Sequence, residues 1–252
     1  MHWHKRSVKT HKVTLTYYVA GKGRPVLFLH GVGVIAMTYK RILDILAQDH
    51  TVIAPDLPGF GDSTVPKEIW DMRDYAQAIN SILEYEHLQD VVVIGHSFGG
   101  RIALLLAALS GRLTKAIVLN ASGTRPQESK LILAYRFFFA KSNYLPWTAD
   151  HIKIMSVIAR DFFSNVIRQI LYLPHLFTIV FNCLYRDYPE IKNITIPILL
   201  VRSIHDTLVQ PAEIEILKQL IPHIEVKEIE GDHDTLLFYP TIMLSHISHY
   251  LD

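Results

Sequence analysis

The hydrophobic positions of this chain alternate between short continuous runs and stretches with helical spacing. Residues 26–29, 51–54 and 91–94 are apolar or β-branched throughout, and glycine or proline follows each run within two residues. Such runs are typical of strands that are buried on both faces of a sheet. Residues 38–48 and 72–86 instead place apolar side chains three or four positions apart, which predicts amphipathic helices. The alternation predicts an α/β fold with a doubly wound, mostly parallel sheet.

The same pattern continues toward both ends of the chain. Residues 13–19 alternate like a strand, and Gly21-Lys22-Gly23 turns the chain toward 26–29. We therefore expect these two strands to pair as a hairpin at one edge of the sheet. Strands are also predicted over 115–120, 198–201 and 226–229, and helices over 101–109, 212–220 and 236–250.

The strand pattern stops between about residue 121 and residue 193. Helical spacing continues there over 131–140, over 152–163 and from 166 onward, and Phe, Tyr, Ile and Leu are frequent. We interpret residues 122–193 as a helical cap inserted into the fold. Residues 1–121 and 194–252 then form the α/β core.

Composition and charge narrow the classes of function. The 252 residues are 50% hydrophobic, which allows a large core, and the formal net charge of +1 gives no reason to expect nucleic-acid binding. The single cysteine, Cys183, excludes an internal disulfide framework and a cysteine-rich zinc site. It suits a reducing compartment, and the first residues lack the pattern of a secretory signal, so we expect a cytoplasmic protein.

Residues 169–185 form the most apolar long stretch of the sequence. They contain no charged residue, but Pro174, His175 and Asn182 interrupt them, and no run reaches 18 apolar residues. We expect a buried or substrate-facing pair of helices and no stable insertion into a membrane. A lid, a dimer contact and a peripheral membrane contact all remain open for this stretch, as do a monomer and a homodimer.

A serine lies where the strand 91–94 meets an apolar helix. Gly95, Ser97 and Gly99 fall at the turn between them. A nucleophilic serine needs such a strained turn so that its hydroxyl projects from the backbone, and only small residues fit two positions before and after it. A glycine-rich loop that merely packs tightly is the plainer interpretation, but the strand-to-helix context favours the nucleophile.

A serine hydroxyl needs a base, usually a histidine that a carboxylate orients. Among the 14 histidines, His233 directly follows the last predicted strand, at the sheet edge where Ser97 lies. Asp206 follows the preceding strand and is the predicted acid. Asp232 and Asp234 flank the histidine in sequence, where capping of the following helix is their expected role and Asp232 is the alternative acid.

The remaining site predictions concern the oxyanion and the substrate. The backbone N–H groups of Phe98 and Val32 are the expected oxyanion donors, because one follows the nucleophile and the other lies in a glycine loop after a buried strand. The candidate pocket residues are His30, Gly31, His96, Phe138, Phe162 and Phe177.

Residues 30–33, 56–63 and 95–100, followed by Asp206 and His233, resemble the α/β-hydrolase fold family in type and order. The resemblance covers the chain outside residues 122–193, which resemble the family's variable cap. It implies a Ser97–His233–Asp206 triad, a supporting role for His30 in the oxyanion loop, a structural loop at 56–63, and no metal or organic cofactor. Serine at the nucleophile position argues against haloalkane dehalogenases and epoxide hydrolases, which place aspartate there.

The expected function is hydrolysis of small or medium, mainly apolar carboxylic esters, as in carboxylesterases and lipase-like enzymes. One alternative is a carbon–carbon bond hydrolase of dienoate-type ketones, with a cap arginine as the clamp for the substrate carboxylate. The arginines available for that role are Arg125, Arg136, Arg160 and Arg168. A second alternative is a hydrolase-like ligand receptor with slow turnover.

Overall fold

Eight strands form one sheet in the computed structural model, which describes residues 1–139 and 148–251 apart from the side chains of 137–139 and 149. Their order across the sheet is β1-β2-β4-β3-β5-β6-β7-β8. The pairs from β4 through β3 to β8 are parallel, while β1 and β2 run antiparallel to their neighbours, so the mostly parallel sheet is confirmed. The strands are β1 (His4–Lys9), β2 (Thr14–Ala20), β3 (Arg24–Leu29), β4 (His50–Pro55), β5 (Val91–His96), β6 (Leu113–Leu119), β7 (Ile198–Ser203) and β8 (Glu225–Ile229).

Helices cover both faces of this sheet. Val91 and Val93 of β5 point into one apolar cluster, whereas Val92 and Ile94 point into the other. The continuous apolar run of β5 therefore follows from burial on both sides. The helices are α1 (Lys40–Leu46), α2 (Met72–Tyr85), α3 (Phe98–Leu109), α4 (Lys130–Phe139), α5 (Ala149–Arg168), α6 (Leu173–Leu184), α7 (Pro211–Leu220), α8 (Thr235–Phe238) and α9 (Pro240–Ile247).

The predicted hairpin between the first two recognised strands is wrong. β2 pairs with β1 and β4, while β3 lies between β4 and β5. The sequence pattern missed β1 because five of its six residues are exposed, so it has no apolar face. Charged side chains on such an edge strand also oppose pairing with another chain.

Three predicted helical stretches also have different boundaries. The stretches 152–163 and 166 onward join into α5, which runs through Asn165. The single helix predicted over 236–250 is instead divided at Tyr239, and Pro240 opens α9. Proline lacks the N–H that a continuous helix would need there, but it fits the first turn of a new one.

Helices α4, α5 and α6 lie between β6 and β7, where the inserted helical segment is expected. Its proposed boundaries at 122 and 193 stay a prediction. Its outer surface is apolar at several positions, including Ile167, Ile170 and Leu171, the last of which is 88% exposed. In the described residues no single helix is long and apolar enough to cross a membrane. By length and composition alone, the consecutive helices Asp150–Arg168 and Ile170–Leu184 could together cross a membrane, with a bend of 72° between them.

Candidate active site

The turn that carries Ser97 is strained. Its φ is +53° and its ψ is −117°, a conformation that costs a non-glycine residue energy. A Cβ on Gly95 would lie 2.3 Å from the carbonyl oxygen of Gly99, and a Cβ on Gly99 would lie 2.3 Å from the carbonyl oxygen of Leu29. The crowding predicted from the spacing is therefore present, and the turn lifts the serine side chain above the carboxyl end of β5.

Three side chains from separate parts of the chain meet at this edge of the sheet. The Oγ of Ser97 lies 2.9 Å from Nε2 of His233. The Nδ1 of that ring lies 2.8 Å from Oδ2 of Asp206. The other oxygen of Asp206 accepts hydrogen bonds from the backbone N–H groups of Leu208 and Val209, at 2.7 and 3.1 Å. One oxygen of the carboxylate is therefore held by the backbone, and this fixes the orientation of the other oxygen toward the imidazole.

Burial and pairing act in opposite directions on these groups. Burial is the largest single effect on the pKa of His233 and lowers it, but the charge and hydrogen bond of Asp206 and the charges of Asp234 and Asp232 together raise the pKa above its ordinary value. Burial would raise the pKa of Asp206, yet His233 and the backbone hydrogen bonds hold it below the ordinary value. The carboxylate is therefore ionised at neutral pH, and it stabilises a positive charge on the imidazole when that ring takes up a proton.

Asp232, the alternative acid, serves the start of the next helix. Its Oδ1 accepts hydrogen bonds from the N–H of Asp234 at 3.1 Å and from the hydroxyl of Thr235 at 3.2 Å. These contacts stabilise the turn before α8, whose N-cap is Asp234 and has no side-chain cap hydrogen bond, so the expected capping role is not seen. Asp206 is the carboxylate that contacts the ring of His233.

The glycine loop after β3 places Val32 beside Ser97 at the wall of a cavity. His30, at the start of this loop, donates from Nδ1 to the carbonyl of Gly31 at 2.7 Å and accepts the N–H of Leu57 at 2.9 Å. Burial lowers the pKa of His30 to about 4, so it is neutral and keeps both hydrogen bonds at neutral pH. Since that carbonyl and the N–H of Val32 belong to one planar peptide, His30 fixes the direction of this N–H.

The cavity above Ser97 has a volume of about 210 Å³, and its walls are almost entirely apolar. The candidate pocket residues Phe162 and Phe177 line it, together with Phe60, Leu173 and Leu176. Phe138 lies outside the described side chains. The aromatic and aliphatic residues of α5 and α6 therefore form much of the wall opposite the sheet.

Three predicted pocket residues do not line this cavity. His30 is fully buried behind the loop that it holds, and Gly31 packs against Ser97 and Tyr39. His96 is 2% exposed, and its ring nitrogens contact Tyr39 and the backbone carbonyl of His233. Although His96 directly precedes Ser97 in sequence, its side chain points into the protein.

Two asparagines at the site were not among the residues predicted from the sequence. Asn120 directly follows β6 with a φ of +47°, and its Nδ2 donates to the carbonyl of His233 at 3.0 Å and to the hydroxyl of Ser203 at 3.1 Å. Asn165 accepts the N–H of Gly61 at 2.9 Å, and so ties α5 to the core. The position of Asn120 directly after a buried strand was a usable sequence signal, because asparagine tolerates the positive φ of a tight turn.

Comparison with known proteins identifies the family. The model of the alpha/beta hydrolase family matches residues 26–241, which is most of the chain. The chain belongs to the alpha/beta hydrolase family. The resemblance noted in the sequence is thereby confirmed.

The relatives of this alpha/beta hydrolase are diverse. An uncharacterized protein of Mycobacterium tuberculosis is 33% identical over 113 residues, 45% of this chain and 33% of that protein, so the match spans about a third of the relative's length. The 2-(acetamidomethylene)succinate hydrolase of Mesorhizobium japonicum is 24% identical over 100% of this chain and 96% of its own. A solved structure of an esterase from Rhodococcus sp. has a TM-score of 0.79 and 21% identity, and covers 100% of this chain and 98% of that one. That structure shows the shared fold.

Proposed function

We propose that this alpha/beta hydrolase cleaves carboxylic esters with mainly apolar acyl or alcohol groups, through an acyl-enzyme on Ser97. The observation that carries the proposal is the line of hydrogen bonds from Ser97 through His233 to Asp206, at 2.9 and 2.8 Å, at the floor of an apolar cavity. The 2-(acetamidomethylene)succinate hydrolase among its relatives supports hydrolysis as the reaction class.

In the first half of the proposed reaction, the Oγ of Ser97 attacks the ester carbonyl while Nε2 of His233 takes the hydroxyl proton. The carbonyl oxygen becomes an oxyanion, which the N–H groups of Val32 and Phe98 stabilise. Phe98 opens α3, so its N–H has no acceptor within the helix and lies at the positive end of the helix dipole. The tetrahedral intermediate then expels the alcohol, which receives the proton from His233.

In the second half, water attacks the acyl-enzyme. His233 takes a proton from the water, the same oxyanion forms and collapses, and the proton returns to the Oγ of Ser97 as the carboxylic acid leaves. Asp206 remains ionised throughout and stabilises the imidazolium in both halves. No group beyond these side chains, backbone amides and water is needed to balance the reaction.

The charged groups of the inserted helices favour esters over carboxylate-bearing ketones. Arg136 contacts Glu128, Arg160 contacts Asp161, and Arg168 contacts Asp62. None of these three arginines lines the described part of the cavity, and neither does Arg125. A clamp built from these four arginines would use groups that already have carboxylate partners, whereas an apolar ester needs no such clamp.

Arg101 is the arginine that reaches the described cavity wall. Its Nη2 donates to the carbonyl of Leu184 at 3.1 Å, and the carboxyl group of Glu213 lies in the same wall. Burial lowers the pKa of Arg101, and the negative charge of Glu213 opposes that shift. Its Nε is buried with no hydrogen-bond partner among the described residues, so Arg101 is the group of the described wall that keeps the carbon–carbon bond hydrolase as the alternative.

A substrate panel tests the proposed function. We expect p-nitrophenyl esters from acetate to octanoate to be hydrolysed by the wild-type chain, and Ser97→Ala to lose nearly all of this activity. Turnover only of dienoate ketones that carry a carboxylate would favour the carbon–carbon bond hydrolase. Failure of a fluorophosphonate to label Ser97, with no turnover of either substrate class, would favour the receptor.

A further inference from the structure

A buried tyrosine joins the two loops on which the proposed chemistry depends. The hydroxyl of Tyr39 accepts a hydrogen bond from the N–H of Gly31 at 3.2 Å and lies 2.7 Å from Nδ1 of His96. The Nε2 of His96 lies 2.9 Å from the backbone carbonyl of His233. The glycine loop after β3 and the loop that carries the base are thus connected through two side chains, each 2% exposed.

The hydrogens in this row of hydrogen bonds can be arranged in one way. The N–H of Gly31 can only donate, so the hydroxyl of Tyr39 uses its own hydrogen for Nδ1 of His96. The carbonyl of His233 can only accept, so Nε2 of His96 carries the ring hydrogen. This requires a neutral imidazole, and burial lowers the pKa of His96 to about 4 while it raises the pKa of Tyr39. Both groups are therefore neutral at the pH of an ester assay.

We propose that Tyr39 is a positioning residue, whose hydroxyl holds the oxyanion loop and, through His96, the backbone of His233 in one mutual geometry. The inference rests on the proposed ester hydrolysis for its kinetic consequence. The side chain of Tyr39 does not line the described cavity, so it acts on the reaction through the residues that it orients.

The proposal explains why a hydroxyl is needed at this position rather than a ring of similar shape. The ring of Tyr39 packs on Phe28 with centroids 5.0 Å apart, and a phenylalanine keeps that contact. Removing the oxygen leaves the N–H of Gly31 without its acceptor and Nδ1 of His96 without its donor. Because Val32 follows Gly31 directly, relaxation of the loop displaces the proposed oxyanion donor relative to Ser97. Misplacement by a fraction of an ångström to an ångström lowers turnover more than substrate binding.

The kinetic test compares Tyr39→Phe with a matched control. Tyr188 is also buried, and its hydroxyl accepts a backbone N–H from Met72 at 3.0 Å and donates to the carbonyl of Cys183 at 3.2 Å. Tyr188→Phe removes the same group with the same number of hydrogen bonds, away from the site. With kcat expressed per fluorophosphonate-titrated site, we expect Tyr39→Phe to lower kcat roughly ten- to a hundredfold with KM changed less than about threefold. Tyr188→Phe should leave both within about threefold.

A measurement without turnover separates this proposal from the proposed function. In ¹⁵N-labelled protein, amide exchange at Gly31 should accelerate by at least about tenfold in Tyr39→Phe and not in Tyr188→Phe. The ring nitrogens of His96 should report a single Nε2–H tautomer in the wild type and lose it in Tyr39→Phe. These readings apply even if no ester is hydrolysed, in which case the proposed function fails by itself.

The proposal is overturned by unchanged exchange at Gly31, by an equal loss of kcat in both variants, or by a rise in KM at constant kcat. If Tyr39→Phe does not fold, His96→Leu breaks the same connection from the other side, while the carbonyl of His233 keeps the hydrogen bond that it accepts from Nδ2 of Asn120 at 3.0 Å. We then expect the same selective loss of kcat, and full retention of kcat in that variant would overturn the proposal.

Discussion

Replacement of Asp206 by asparagine tests the assignment of the acid, and the structure predicts how the replacement acts. The N–H groups of Leu208 and Val209 both point at one oxygen of Asp206. In Asp206→Asn the amide oxygen must take that place, because the NH₂ group would face two donors. The NH₂ then points at Nδ1 of His233, which has to become an acceptor. The ring hydrogen moves to Nε2 and points at Ser97, so the imidazole no longer accepts the serine proton.

The expected loss is large because the variant folds with its base in the wrong tautomer. The equivalent change in a serine protease lowers kcat by about 10⁴-fold, which corresponds to about 5.5 kcal/mol of transition-state stabilisation. We expect a loss of this order for Asp206→Asn on p-nitrophenyl butyrate at pH 8. KM should change less than about threefold, since Asp206 does not line the described cavity. Stopped-flow and steady-state assays on titrated sites measure both constants.

Asp232→Asn is the matched control for this experiment. Its side chain is also buried and also next to the base, but its oxygen serves Asp234 and Thr235, and asparagine can accept the same hydrogen bonds. We expect its kcat to remain within about fivefold of the wild type. Loss of activity in Asp232→Asn together with near-normal turnover in Asp206→Asn would refute the assignment.

Three further predictions follow from the same site. Gly99→Ala should lower the free energy of unfolding in urea by more than about 2 kcal/mol, because the added Cβ would lie 2.3 Å from a backbone oxygen, whereas Gly111→Ala, where it meets no atom within 4 Å, should be nearly neutral. The kcat/KM for ester hydrolysis should fall toward acid with an apparent pKa above 6.5, because the neutral ring of His233 is the proposed base and the carboxylates around it raise its pKa. Asn165→Ala should lower kcat/KM roughly tenfold, because it removes the hydrogen bonds from α5 to the loops beside the site.

A different experimental result would contradict each of these three predictions. Equal unfolding free energies for the two alanine variants would show that the turn at Gly99 can relax without cost. An acid limb centred below pH 6 would mean that the base is not held by a carboxylate. Wild-type kinetics in Asn165→Ala would mean that the contacts of α5 with the core do not affect catalysis.

The parallel core could be predicted because burial on both faces leaves a signal in the local sequence. Each central strand reads as an unbroken apolar run, and each helix between them has one apolar face. The order of strands left no such signal, since the neighbours of β2 are decided by contacts distant in sequence. β1 was missed for the opposite reason, because an exposed charged edge strand has the composition of a loop.

The residues that the structure brings together at Ser97 could be selected from the sequence because each directly follows a predicted parallel strand. The carboxyl ends of parallel strands lie at one edge of the sheet, so residues that follow these strands in sequence are expected to lie close together. The residues behind the site could not be found in this way. Tyr39 lies on a turn before α1 and reaches His96 only through the tertiary fold. In α5, Phe162 lines the cavity while neighbouring Phe163 is 61% exposed, and the apolar pattern does not separate them.

The most direct test of the account is to trap the covalent intermediate. The wild-type chain is mixed with p-nitrophenyl butyrate, quenched in acid within milliseconds, digested and analysed by mass spectrometry. We expect a butyryl group on the peptide that contains Ser97, and no such group in Ser97→Ala. Ester hydrolysis that continues at the wild-type rate in Ser97→Ala, or an acyl group found on another residue, would contradict it.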